Sequence, residues 1–101
     1  MINTVAKGTR KEKACADELE AQGYKVWRKV RTKWHNLDIF NLFDVLALSP
    51  DGEKLLFIQT KANRCDVESR DRINAFKLPG SCEKWIWIWK DRKYWIKEYY
   101  D

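Results

Sequence analysis

The spacing of apolar and polar positions divides the chain into helical and extended segments. Cys15, Ala16 and Leu19 recur at helical intervals, Thr9 is a capping residue and Gly23 a stop, which predicts a first helix over 9–22. Residues 24–33 alternate, with Tyr24, Val26, Arg28 and Val30 on one face and the remaining bases opposite, as in a long strand. Residues 34–42 show no clean period. Phe43 to Leu48 and Leu55 to Lys61 read as strands joined across Asp51-Gly52, a hairpin dipeptide. Asp66 is placed to cap a second helix reaching Leu78, ended by Pro79-Gly80. Trp85–Trp89 and Tyr94–Tyr100 form a second hairpin about Asp91-Arg92. The order helix, three strands, helix, two strands implies an α/β fold with helices flanking a mixed sheet.

The first hairpin allows its register to be calculated. With Asp51-Gly52 as a two-residue turn, Pro50 faces Glu53 and Asp44 faces Gln59. Lys61, two residues on, points to the same face as Gln59. Leu46, Leu48, Leu55 and Phe57 occupy the rest of that face, so an acid, an amide and an ammonium gather at the end of an apolar surface. Polar groups there are costly unless paired or bound. The first helix supplies a second acid. Glu12 precedes Leu19 by seven residues and so falls within about 20° of it on the helix wheel, on the inward stripe. Glu18 and Glu20 fall to the sides of that stripe and Asp17 on the outer face.

Two carboxylates, an amide oxygen and nearby backbone carbonyls make an all-oxygen donor set. That suits magnesium or manganese rather than zinc. A lysine beside it can orient water or stabilise charge on a phosphate. The same spacing also fits an Asp44–Lys61 salt bridge at the rim of the core, with Gln59 as a satisfied neighbour.

Composition narrows the classes. A chain of 101 residues, 45% hydrophobic and 35% charged, is one globular domain, 1–101. The longest apolar run, Trp85 to Trp89, is too short to span a membrane. Met1 to Lys13 has no apolar signal core, and three Cys without a CxxC pair suit free thiols in a reducing cytoplasm. With one His they make no zinc site.

The net charge of +5 is localised. Residues 1–34 hold nine Lys and Arg against four acids, and the remainder is neutral. Lys25, Arg28, Lys29, Arg31 and Lys33 follow one another with no acid between them, beside Trp27 and Trp34. That pattern fits either a solvated strand face or an edge that contacts phosphates. Lys7, Arg10 and Lys11 precede it, and His35 and Arg64 border the candidate site. Asp38 is a further acid near it. Lys33, Arg64 and Arg70 fit phosphate contacts and surface salt bridges equally well. In Trp85–Trp89 both strand faces are apolar, as expected of a central strand, with a dimer interface as the rival account and base stacking as a third, since the segment has no basic residue until Lys90.

Glu12, then Phe43-Asp44-Val45, then Ile58-Gln59-Thr60-Lys61 after a hairpin, resembles the PD-(D/E)xK nuclease superfamily. Lys7-Gly8-Thr9-Arg10-Lys11-Glu12 ahead of an amphipathic helix resembles the start of archaeal-type Holliday-junction resolvases. The likeness covers roughly residues 7–64. It implies a restriction-endonuclease-like αβββαβ core. It implies that Glu12, Asp44, Gln59 and the Thr60 carbonyl hold Mg²⁺ or Mn²⁺ and that Lys61 assists an attacking water. Glu12, Asp44, Gln59 and Lys61 are then the catalytic set. Two positions depart from the pattern: Gln59 stands where the second acid is usual, and Phe43 where a proline is.

The resemblance implies a metal-dependent DNA endonuclease, structure-specific for junctions or branched DNA, working as a cytoplasmic homodimer; so compact a nuclease suits a virus or mobile element as well as a cellular genome. Gln59 keeps a second reading open: a degenerate nuclease fold that binds nucleic acid or a protein partner. An RNA-directed nuclease or RNA-binding domain is a third.

Overall fold

The computed structural model describes residues 4–28, 39–40 and 42–100, with side chains from Arg10 onward. Two helices and five strands follow in the order α1 (Thr4–Ala21), β1 (Lys25–Arg28), β2 (Val45–Leu48), β3 (Leu55–Ala62), α2 (Val67–Ala75), β4 (Cys82–Lys90) and β5 (Tyr94–Tyr100). The sheet order is β1-β2-β3-β4-β5. β3 and β4 are parallel, with α2 as the crossover, and the other neighbours are antiparallel. The mixed sheet flanked by helices is the α/β architecture the sequence order implies.

α1 starts at Thr4, ahead of the expected cap at Thr9. It ends as expected at Gly23, whose φ is +94°. Gly23 N–H donates to the Glu20 carbonyl and Tyr24 N–H to that of Leu19, closing the helix in a Schellman arrangement. A Cβ at Gly23 would meet Pro50 Cγ at 3.1 Å, so glycine serves both the dihedral and the close approach. Of the strand expected over 24–33, residues 25–28 form β1, and 29–38 lie outside the described residues.

The first hairpin keeps the calculated register: Val45 pairs with Ile58 and Leu48 with Leu55. Its loop is longer than two residues. Ser49 N–H donates to the Lys54 carbonyl, and Gly52, at φ +74°, closes a turn onto Ser49. Both loops have the same centre, so the register survives the difference.

Asp66 caps α2, accepting Ser69 N–H at 3.1 Å and Ser69 Oγ–H at 2.8 Å. α2 stops at Ala75, short of the expected Leu78. Leu78 precedes a proline, which disfavours helix there. The buried ammonium of Lys84 takes the helix's last carbonyls, donating to Ile73 at 2.8 Å, Asn74 at 3.1 Å and Phe76 at 2.7 Å.

Each sheet face has its own core. Cys15 and Leu19 of α1 pack on Val45, Ala47, Leu56, Ile58 and Trp87. On the other face, Ile73 of α2 packs with Phe43, Phe57, Ile86 and Ile88. β4 is thus an interior strand buried on both sides, which is the core account of the Trp stripe. Tyr94, Ile96 and Tyr99 of the outer strand β5 are exposed. Among the described residues no helix is long and apolar enough to cross a membrane.

Candidate active site

The site lies where β2 and β3 part. Phe43 leaves the sheet, since its backbone N–H and carbonyl pair with Ile39. By the hairpin's register Phe43 would have faced Thr60, so Thr60 N–H loses a ladder partner inside the protein. Asp44 replaces it. Oδ2 of Asp44 accepts Thr60 N–H at 3.0 Å and Thr60 Oγ–H at 3.0 Å. Asp44 therefore does not pair with Gln59 as the ideal register has it; its own N–H donates to Ile58. The carboxylate completes the end of the sheet because a buried N–H without a partner is costly.

α1 brings Glu12 to the same level. The helix ends at Gly23 beside Pro50, at the hairpin-turn end of β2. Eleven residues back, about 16 Å along the axis, Glu12 reaches the opposite end of the sheet. It is 2% exposed, on the stripe that also buries Cys15 and Leu19. Burial pushes the Cys15 thiol far up; Glu18 adds to this, Lys97 opposes it, and Asp44 and Glu12 reinforce it. One thiol thus feels both carboxylates.

Gln59 and Lys61 share a face of β3, as their spacing predicts. It is the α2 face, opposite the one on which α1 packs, so the candidate residues surround the end of β3. Gln59 is 7% exposed, and its Oε1 is buried without a hydrogen-bond partner. Lys61 pairs with Asp66, 3.8 Å away, rather than taking the Asp44 contact that spacing also allows. Among the described residues no three His, Cys, Asp or Glu side chains converge as a metal cluster. Among the described residues, a third donor beside Glu12 and Asp44 would be an amide or carbonyl oxygen. Gln59 Oε1 and the Thr60 carbonyl are of that chemistry.

The candidate phosphate contacts divide. Arg10 and Lys11 lie on the turn of α1 that carries Glu12, and Arg64 is exposed three residues beyond Lys61. Arg28 pairs with Val45, at the site's end of β1. Lys25 pairs with Leu48, about 10 Å away at the hairpin-turn end. Lys7 falls within α1, and Lys29, Arg31, Lys33, His35 and Asp38 lie outside the described residues. Residues that the chain pattern did not mark are also present. Trp89 and Arg92 meet Arg10 and Lys11 across a cleft that also touches Ala62. The signal for them is non-local, because it depends on β4 lying parallel to β3.

The chain is similar in structure to Hjc, a Holliday junction resolvase from the archaeal hyperthermophile Archaeoglobus fulgidus, with a TM-score of 0.64 and 21% sequence identity. The match covers 90% of this chain and 70% of that one. No protein-family model matches the chain, and no curated protein matches its sequence. At that identity the likeness bears on fold: the chain has a restriction-endonuclease-like α/β fold, as that resolvase does.

Proposed function

We propose that this chain is a PD-(D/E)xK-type, metal-dependent DNA endonuclease that hydrolyses phosphodiester bonds in branched DNA, working as a homodimer. One observation carries the reading. On a fold shared with a Holliday junction resolvase, Asp44 is fixed to Thr60 toward the end of β3, and the preceding residue, Gln59, carries a buried oxygen with no hydrogen-bond partner among the described residues. A buried acceptor with no donor among the described residues is costly unless a donor or a cation meets it. Glu12, Asp44, Gln59 Oε1 and the Thr60 carbonyl fit a hard divalent cation, Mg²⁺ or Mn²⁺. Such a cation, when bound, supplies an activated water and neutralises charge on the phosphate.

The chain's own residues then have distinct tasks. Asp44, tied to the sheet by two hydrogen bonds, fixes the cation's position relative to β3. Lys61 holds an ammonium at the same strand end, where charge develops on the phosphate. Its 3.8 Å contact with Asp66 is loose enough to yield to a phosphate oxygen. Arg10, Lys11, Arg28 and Arg64 place the DNA backbone, with affinity that falls as salt rises. A two-fold dimer would present two such sites to two strands.

Gln59 favours the second reading, a binding module without catalysis, because a neutral ligand weakens the metal site. One experiment separates the two. Purified protein is incubated with linear, single-stranded and four-way-junction DNA, with and without Mg²⁺ or Mn²⁺, beside Asp44→Ala and Lys61→Ala variants. Metal-dependent cleavage lost in both variants is the expected result. Cleavage that survives in both would reject the site, and tight binding without cleavage of any substrate would establish the module.

A further inference from the structure

The β4–β5 turn is held in a strained conformation by the end of β3. Asp91 and Arg92 both have positive φ, 52° and 57°. The turn closes with Lys93 N–H donating to the Lys90 carbonyl at 2.9 Å. Asn63, itself at φ 65°, locks it in place. Its N–H donates to the Trp89 carbonyl at 2.9 Å, and its Oδ1 accepts Asp91 N–H at 3.0 Å. Its carbonyl accepts Lys90 Nζ–H at 3.2 Å. Backbone strain of this kind persists only where the surroundings over-determine it, and it clusters at ligand clamps. Here it fixes the turn two residues beyond Lys61.

A cleft of about 280 Å³ separates this turn from α1. Arg10, Lys11, Ala14, Ala62, Trp89 and Arg92 line it: three cations, an indole and no acid. Arg10 and Arg92 form no ion pair among the described residues. Glu18, farther along α1, is taken by Lys97. Trp89 is half-buried and backed by Trp95, with ring centroids 4.8 Å apart, so the indole is braced from behind. Lys84 of the same strand is buried against the end of α2; the cleft's cations come from α1 and from the turn.

We propose that this cleft receives an unpaired nucleotide of the DNA substrate. Its base stacks on Trp89, and Arg10, Lys11 and Arg92 hold the adjoining phosphates. Stacking on a fixed aromatic with cations along the backbone is how single strands are held without regard to sequence. A base inside a duplex cannot reach Trp89, so the cleft selects strands with unstacked nucleotides. It adjoins the candidate active site through both walls, since Arg10 and Lys11 precede Glu12 and Ala62 follows Lys61. The inference deepens the endonuclease reading and rests on it.

Fluorescence anisotropy tests it, using labelled oligothymidylate and a blunt duplex in EDTA over a range of salt. The proteins are the full chain, Trp89→Leu and Arg92→Gln, each checked for folding by thermal melt. Trp89→Leu should weaken oligothymidylate binding about tenfold and leave the duplex within about twofold. Arg92→Gln should lower the salt slope for the single strand by about 0.7. Equal losses on both DNAs, or none on either, would overturn the cleft. If Trp89→Leu does not fold, Arg92→Gln, at an exposed turn, decides alone. Should wild-type protein bind no DNA at all, the endonuclease reading falls with it. If wild type cleaves a junction and both variants bind oligothymidylate as wild type does, only the cleft is rejected.

Discussion

Gln59→Glu separates a ligand from a bystander. The change keeps the side chain's size and turns a buried neutral acceptor into a carboxylate, at a position 7% exposed. In metal-free protein the new carboxyl is desolvated, which disfavours its charged form. The expected loss at neutral pH is about 2–4 kcal/mol. For a chain of this length each kcal/mol moves Tm by about 4–8 °C, so metal-free Tm should fall by about 10–25 °C. The pH dependence has a definite sign. The folded-state pKa of the new carboxyl lies above its unfolded value of about 4.3. The penalty is therefore absent below that value and grows as pH rises through the interval between the two.

Divalent metal should reverse the loss. Three carboxylates bind Mg²⁺ or Mn²⁺ more tightly than two, and a ligand at about 100 times its Kd stabilises the folded state by about 2.7 kcal/mol. The assay is thermal unfolding of both proteins in EDTA and across a Mg²⁺ titration. The variant should start lower and gain more. Equal metal-induced shifts would refute the ligand role of Gln59. A metal-free variant as stable as wild type would refute the claim that its oxygen sits in a buried site.

Three other outcomes are expected. Thr60→Val removes one of the two hydrogen bonds to Asp44 at nearly constant shape. It should cost about 1 kcal/mol in urea unfolding and weaken metal binding measured by calorimetry, while intact metal affinity would show that Thr60 does not position Asp44. Lys84→Met leaves three carbonyls at the end of α2 without their donor, partly offset by no longer burying a charge. A loss of about 2–4 kcal/mol is expected, and a change below about 0.5 kcal/mol would mean that water caps the helix instead. Burial raises the Glu98 carboxyl, but hydrogen bonds from Arg70 and Tyr100 outweigh it and hold it below the usual range. Its stabilising contribution is present above about pH 4.3 and is lost as pH falls through the lower folded value. Glu98→Gln should flatten that part of a Tm–pH curve, by no more than about 1 kcal/mol given the pair's exposure; an unchanged acid limb would show that other groups set it.

What the sequence made legible was local or fixed by short loops. Asp66 and Gly23 mark helix ends by side-chain and dihedral chemistry that needs no tertiary partner. The Asp51-Gly52 hairpin set the β2–β3 register because an error in loop length that is symmetric about its centre leaves the pairing unchanged. Glu12 was legible because seven residues make nearly two helical turns. Departures came where a distant group intervened. α2 ends early at a lysine from β4. Asp44 leaves the ladder because Phe43 finds a partner in Ile39. Alternation put Gln59 and Lys61 on one face, but only the packing of α1 and α2 decides which helix covers that face.

One turn of α1 links the two halves of the proposed chemistry. Glu12 points inward and is buried, while Arg10 and Lys11, two and one positions before it, are about 200° and 100° away around the helix. The same turn thus supplies an acid to the metal side of the site and cations to its mouth. This separates opposite charges by helix geometry, where a loop would let them pair and cancel. It also accounts for the charge distribution. The acids that would hold a cation are Glu12 of α1 and Asp44 just ahead of β2, and both are buried. The cations that would hold a phosphate stay on the rim. Under the proposed function, a polyanionic substrate would be drawn to a surface whose centre repels it until a divalent cation is bound, so that metal and DNA binding would reinforce each other.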